Sequence, residues 1–190
     1  MPVSPFIELT LEEQVTLDEL VYEVLQTGCS CQQLQLPIAP DLPGLQQKAA
    51  SFVSMYVNGE LRGCTGTCYA TLPLWQDVCE HAYSSAFEDG RFSSLRAPEL
   101  DDCRLIISVL SPMEPCENQG EQALLDNLRP GIDGLMIQEG TKRALFLPVV
   151  WGSLSHPKAF LNGLKRKGGW PETYWSEVIE IYRFDVVAQY

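Results

Sequence analysis

Asn58-Gly59 constrains this chain more than any other feature, because it stands between two runs that read as strands. Ser51 to Val57 is rich in β-branched and aromatic residues, and Glu60 to Thr67 continues beyond the dipeptide. Both positions of a tight hairpin turn require positive φ, which asparagine and glycine tolerate, so the segment is expected to form a β-hairpin. The run Arg62-Gly63-Cys64-Thr65-Gly66 then lies at the far end of the second strand.

The rest of the chain alternates helical and strand patterns. Thr10 and Glu13 form a capping box ahead of Leu17, Leu20, Val21, Val24 and Leu25, and Gly28 is placed to stop that helix. Cys29 to Lys48 carries three prolines and reads as a surface loop. A second helix starts near Pro73, with Leu74, Val78, Ala82 and Ala86 along its apolar face, and ends near Glu88-Asp89-Gly90. Arg91 to Asp102 reads as irregular, Leu105 to Leu110 as a buried strand, and Glu121 to Leu128 as a short helix. Leu135 to Gln138 and Arg143 to Leu147 suggest a second hairpin, Pro157 to Lys167 a helix, and Glu177 to Val186 one final strand. Without a regular βαβ rhythm, the expected fold class is α+β, a single domain over residues 1–190 with a largely antiparallel sheet and flanking helices.

Charge narrows the function. Thirteen basic against 25 acidic residues give a formal charge of −12, which repels phosphate backbones and argues against nucleic-acid binding. The compact basic run Lys165-Arg166-Lys167 precedes Gly168-Gly169, where cations meet a helix C-terminal dipole and glycine supplies the left-handed cap. Met1-Pro2-Val3-Ser4-Pro5 lacks a basic leader, and no apolar run approaches the roughly 20 residues a membrane span needs, so a cytoplasmic protein without a membrane partner is expected. The seven cysteines form no Cys-x-x-Cys pair and the two histidines, His81 and His156, lie far apart, so no metal and no cofactor is expected and the thiols are read as reduced.

The chemistry-bearing residues concentrate in two places. Flanking glycines let the backbone bend at Cys64 and let another group come close, while Arg62 would favour a thiolate. That supports Cys64 as nucleophile or redox thiol helped by Arg62, with Gly63, Thr65 and Gly66 shaping the site. The alternative is a small buried cysteine beside a bulge. Glu88-Asp89-Gly90-Arg91-Phe92 offers either an anion-gripping Arg91 with carboxylates that orient a ligand, or a helix-ending loop whose charges pair locally. Neither histidine is assignable as a base from spacing.

These segments resemble the AMMECR domain family, whose signature usually reads Leu-Arg-Gly-Cys-Ile-Gly. The resemblance rests on Asn58 to Thr67, Ala86 to Phe92 with Pro98-Glu99-Leu100, Ile107 to Pro112, Gly131 to Leu135, Lys142 to Pro148, Phe160 to Gly169, and Tyr182-Arg183-Phe184. Thr65 replaces the usual isoleucine, Gly90 stands where proline is common, and Ser93-Ser94 replaces a Pro-Pro pair. The resemblance implies a two-lobed α+β fold, the larger lobe from the N- and C-terminal parts and the smaller from the middle, with the signature near a cleft between them. Stand-alone microbial members are called protein A of the AmmeMemoRadiSam system, which implies a Memo-type protein and a radical S-adenosylmethionine protein as partners. The family supplies no reaction. The expected function is a cytosolic enzyme or enzyme-system accessory with a cleft site built around Cys64; the alternative is a non-catalytic binding or adaptor module for a peptide, small acid or protein partner.

Overall fold

The structure, a computed structural model, describes residues 8–190; the leaderless start read at Met1–Pro5 lies outside the described residues. It divides into two compact units, the first running up to Pro112 and taking back Val187–Tyr190, the second spanning Met113–Val186. The first unit begins with α1 (Leu11–Cys31), whose capping box forms as expected: Thr10 Oγ1 accepts the Glu13 N–H at 3.2 Å and the Thr10 N–H donates to Glu13 Oε2 at 2.9 Å. The helix does not stop at Gly28. It continues to Cys31 and ends on Gln32 in the left-handed region, φ 55°. Gly28 instead serves packing, since a Cβ there would lie 2.4 Å from Phe87 Cε2. The expected loop from Cys29 to Lys48 is thereby shortened, and it contains one helical turn, α2 (Pro43–Gln46).

Strands β1 (Ala50–Val57) and β2 (Glu60–Gly66) form the hairpin, with Asn58 at φ 52° and Gly59 at φ 81°. Val53, Met55 and Val57 face inward, and α3 (Leu74–Phe87) covers them with Leu74, Val78, Ala82 and Ala86. Pro73 is the residue before this helix and not its first turn. Arg91 to Asp102 is irregular except for a 3-10 segment at Ala97–Asp102, after which β3 (Cys103–Leu110) pairs antiparallel with β1.

The second unit contains β4 (Glu114–Cys116), which carried no sequence signal, then α4 (Glu121–Asn127), β5 (Gly134–Glu139), β6 (Lys142–Phe146), α5 (Pro157–Lys167) and β7 (Glu180–Phe184). Its antiparallel sheet has the order β4-β7-β5-β6. Phe160 of α5 stacks on Trp151 at 3.9 Å between centroids. The basic run of α5 is absorbed internally. Lys165 is buried, its Nζ donating to Glu121 Oε1 at 2.8 Å and the Glu172 carbonyl at 2.9 Å, while Lys167 Nζ donates to the Leu145 carbonyl. The left-handed residue after the helix is Gly169, φ 76°.

The strand expected over Glu177 to Val186 is β7 at Glu180–Phe184, and a further strand lies almost wholly beyond the expected one. After β7 the chain passes Asp185 and forms β8 (Val186–Gln189), which joins the first unit's sheet in the order β2-β1-β3-β8. Apolar alternation reports which face a strand buries and carries no information about which sheet it joins. Among the described residues no helix is long and apolar enough to cross a membrane.

The Lys165 environment yields a test. Glu121→Ala leaves a buried ammonium without its carboxylate, and removal of one partner from such a pair costs about 3 kcal/mol. Urea denaturation of the full chain should show that loss, whereas Lys158→Ala, which removes the exposed partner of the same carboxylate, should cost under about 1 kcal/mol.

Candidate functional site

Strand β2 is the outer strand of its sheet, and α3 presses directly against it. Thr65 lies opposite Val53, and two residues further on Thr67 N–H donates to the Ser51 carbonyl at 3.0 Å. Ladder alternation calls for the same direct bond from Thr65 to Val53. A hydroxyl from the helix stands in its place: Ser85 Oγ accepts the Thr65 N–H at 2.9 Å and donates to the Val53 carbonyl at 2.8 Å. The Ser85 side chain is thus wedged into the ladder, and the helix comes so close that a Cβ on Gly63 would lie 1.9 Å from the Ser85 carbonyl oxygen. Thr65 adds a second tie, its hydroxyl donating to the His81 carbonyl at 2.9 Å, which an isoleucine cannot do. Gly66 is held in the same way from the other side, a Cβ there meeting Phe52 and the Ser51 carbonyl.

The outward-facing edge of β2 is closed by the loop after α3. Asp89 Oδ2 accepts the Cys64 N–H at 3.0 Å, Arg91 Nη2 donates to the Cys64 carbonyl at 3.0 Å, and Arg91 grips Asp89 through Nε at 2.9 Å and Nη2 at 2.6 Å. The pair occupies both main-chain groups of Cys64 as a neighbouring strand would. The Arg91 guanidinium, followed by the Cys64 amide, holds the Asp89 carboxyl well below the usual carboxylate range. Arg62 points elsewhere: Nη1 donates to Glu99 Oε1 at 3.0 Å and Nη2 to Ser93 Oγ at 3.0 Å. Hydrogen bonds from Arg96 first and Arg62 second bring Glu99 down to about 2. Glu88 is exposed and accepts from Ser84 Oγ at 2.7 Å.

The Cys64 thiol is half-buried, and Ser54 Oγ, opposite it on β1, donates to Sγ at 3.4 Å. His81 Nε2 stands 3.6 Å from the buried Asp77 carboxylate, and His156 is the residue before α5 in the second unit, without a side-chain capping bond. Burial raises Asp77, opposed by the Ser51 hydroxyl and amide. All seven cysteines carry free thiols. Burial pushes Cys79 up to about 12 and Cys103 up to about 11, values that suit inert packing groups. Among the described residues no three His, Cys, Asp or Glu side chains are grouped to hold a metal.

The structure therefore brings Gly63, Cys64, Thr65, Gly66, Asp89 and Arg91 into one bonded cluster, sets Arg62 in a neighbouring one with Glu99, and leaves Glu88 outside both. Ser85, Ser54 and Glu99 complete these clusters and were not singled out from sequence. Glu99 lay inside a quoted family block, whereas Ser85 and Ser54 are ordinary serines whose roles arise from register alone.

The model of the AMMECR1 family matches residues 19–188. A protein from Methanothermobacter thermautotrophicus is 35% identical over 155 residues, covering 80% of this chain and 79% of its own. Protein MJ0810 from Methanocaldococcus jannaschii is 30% identical over 185 residues, covering 93% and 89%. Among solved structures, the crystal structure of PH0010 from Pyrococcus horikoshii matches with a TM-score of 0.80 at 26% identity, over 90% of this chain and 87% of that one.

Two measurements test this geometry. Gly63→Ala drives a methyl into a backbone oxygen and should cost about 3 kcal/mol or more, whereas Gly90→Ala, with open space around it, should stay within about 0.5 kcal/mol of the parent in chemical denaturation. Because folding depresses Glu99, its contribution is complete above the ordinary 4.5 and is lost as pH falls toward about 2. Glu99→Gln should flatten the stability–pH curve across that window, with Asp89 and the other depressed carboxylates, Glu13, Glu121 and Glu139, contributing the remaining acid loss.

Proposed function

We propose that this chain, which belongs to the AMMECR1 family, is a binding module that holds a peptide or protein partner without transforming it, and that Arg62–Gly66 is the rigid frame of that module. One observation supports this reading. The groups of the signature that promise chemistry are already engaged within the chain: Arg62 with Glu99 and Ser93, Arg91 with Asp89 and the Cys64 carbonyl, and the Cys64 amide with Asp89. Both guanidiniums are held by carboxylates, Arg62 by Glu99 and Arg91 by Asp89, and although Arg91 lies within electrostatic reach of Cys64 its bonds go to Asp89 and to the Cys64 carbonyl, not to the thiol. The frame stiffens an outer strand, which suits a surface that must keep its shape for a partner.

A second reading, an enzyme or enzyme-system accessory working through the thiol, is favoured by the partly buried Cys64 and the Ser54 hydroxyl that donates to its Sγ. The Memo-type and radical S-adenosylmethionine proteins implied by the family resemblance, in the cytoplasm, are the first partners to try. Cys64→Ser separates the readings. Titration calorimetry of the purified chain with each purified partner should give the variant an affinity within about twofold of the parent, at an unchanged unfolding midpoint. A variant that folds like the parent yet abolishes the effect of the chain on its partner's reaction supports the thiol and sinks the binding-only reading.

A further inference from the structure

Among the described residues, the outer edge of β3 is only half covered. Ile107 and Tyr190 exchange both main-chain bonds, Ile107 N–H to the Tyr190 carbonyl at 2.9 Å and Tyr190 N–H to the Ile107 carbonyl at 3.0 Å. That exchange marks an antiparallel pair and fixes the direction of every group along β3. Residues two and four positions earlier, Leu105 and Cys103, must point their N–H and C=O to the same side. Among the described residues no strand lies there: β8 covers the edge from Ile107 onward, and β3 is paired on its other side with β1.

Beside this open stretch lies a cavity of about 550 Å³. All four consecutive residues Cys103 to Ile106 line it, together with Leu100 and with Tyr56 and Gly59 of the β1–β2 hairpin. The opposite wall is α1, which contributes Asp18, Val21, Tyr22 and Leu25 at helical spacing. Arg104 stands at the margin, exposed and without a hydrogen bond or ion pair among the described residues, although every other arginine of the chain is engaged. A free strand edge facing a helix across a groove, here one that shows Tyr22 and Asp18 to it, is an arrangement that can receive an extended peptide as an added strand.

We infer that the groove between α1 and the Cys103–Ile106 edge binds an extended peptide segment of a partner protein as a fifth strand, with apolar side chains turned toward Tyr22 and Leu105 and an acidic side chain beside Arg104. The inference rests on the binding-module reading and supplies its ligand class. Main-chain bonds go to Leu105 and Cys103. Specificity comes from alternation: residues of the added strand on the Leu105 face meet apolar wall, and those on the Arg104 face meet a cation in an otherwise acidic protein.

A blocked pentapeptide of alternating valine and aspartate is the probe, read by residue-resolved amide hydrogen exchange on the full chain. In the free protein the Leu105 amide should exchange readily while that of Ile107 is protected. At ten times the dissociation constant the probe should slow Leu105 about tenfold, because only unbound protein exchanges, and leave Ile106, bonded to β1, unchanged. Arg104→Glu should weaken probe binding about fivefold or more without moving the unfolding midpoint. A Leu105 amide already protected in the free chain overturns the inference. So does a peptide that protects other amides and not Leu105, or one that fails to bind at millimolar concentration. Those failures leave the module reading to stand on partner titration, whereas loss of partner binding with Leu105 still protected by the probe removes that reading and keeps the groove.

Discussion

The Ser85 hydroxyl lodged between Thr65 and Val53 organises the whole first unit. Two strands that pair directly leave no space for a third group, so the hydroxyl can enter only if α3 sits almost in contact with β2. That proximity in turn forbids a side chain at Gly63 and brings the end of α3 level with Cys64. The loop leaving the helix then falls beside the outer edge of the strand, where Asp89 and Arg91 close on both main-chain groups of Cys64. Packing of α1 follows from the same placement, because Phe87, the last residue of α3, fills the notch left by Gly28. Glycine, serine and aspartate positions far apart in sequence are thus consequences of one helix–strand distance.

Charge is arranged around the same economy. The excess of carboxylates gives most cations an internal partner, even where burial makes the pair costly, as at Lys165. An arginine inside such a network positions backbone and loses its freedom to meet a ligand. Arg62 and Arg91 are of this kind, and the signature arginine is therefore better understood through Glu99 and Ser93 than through the thiol two residues away.

Local patterns were legible wherever one short-range rule decides the outcome. The Asn58-Gly59 turn, the Thr10–Glu13 box and the apolar ladder of α3 each depend on neighbours within a few residues, and each formed as read. What sequence hid depends on register and distance. Gly28 has the identity of a helix terminator, but its role is set by Phe87 arriving from another helix. β7 is legible from its alternation, but β8, which starts at Val186 where the expected strand ends, is not, because its pairing depends on a sheet formed far away in sequence. In the candidate site the motif itself was visible and its duties were not. Whether an arginine near a cysteine activates it or braces the backbone depends on where its guanidinium points, and that follows from the Ser93 and Glu99 segment folding back.

The two open flanks of this sheet are treated in opposite ways, and the difference bears on function. An unpaired strand edge invites association, so a chain that leaves one uncovered runs a risk that selection for solubility alone would remove. At β2 the risk is removed: Asp89 and Arg91 occupy the edge with charge, and glycines keep the helix tight behind it. At β3 the chain's own β8 covers the edge only from Ile107 onward, and beyond that point the main-chain groups of Leu105 and Cys103 face a groove lined by α1 with a free arginine at its margin. Among the described residues, the same fold therefore holds one edge blocked by a dedicated pair of side chains and one edge left open beside α1. That asymmetry locates adhesion away from the signature, and it makes the rigidity that the signature confers on β1 and β2 the support on which the β3 edge keeps its register.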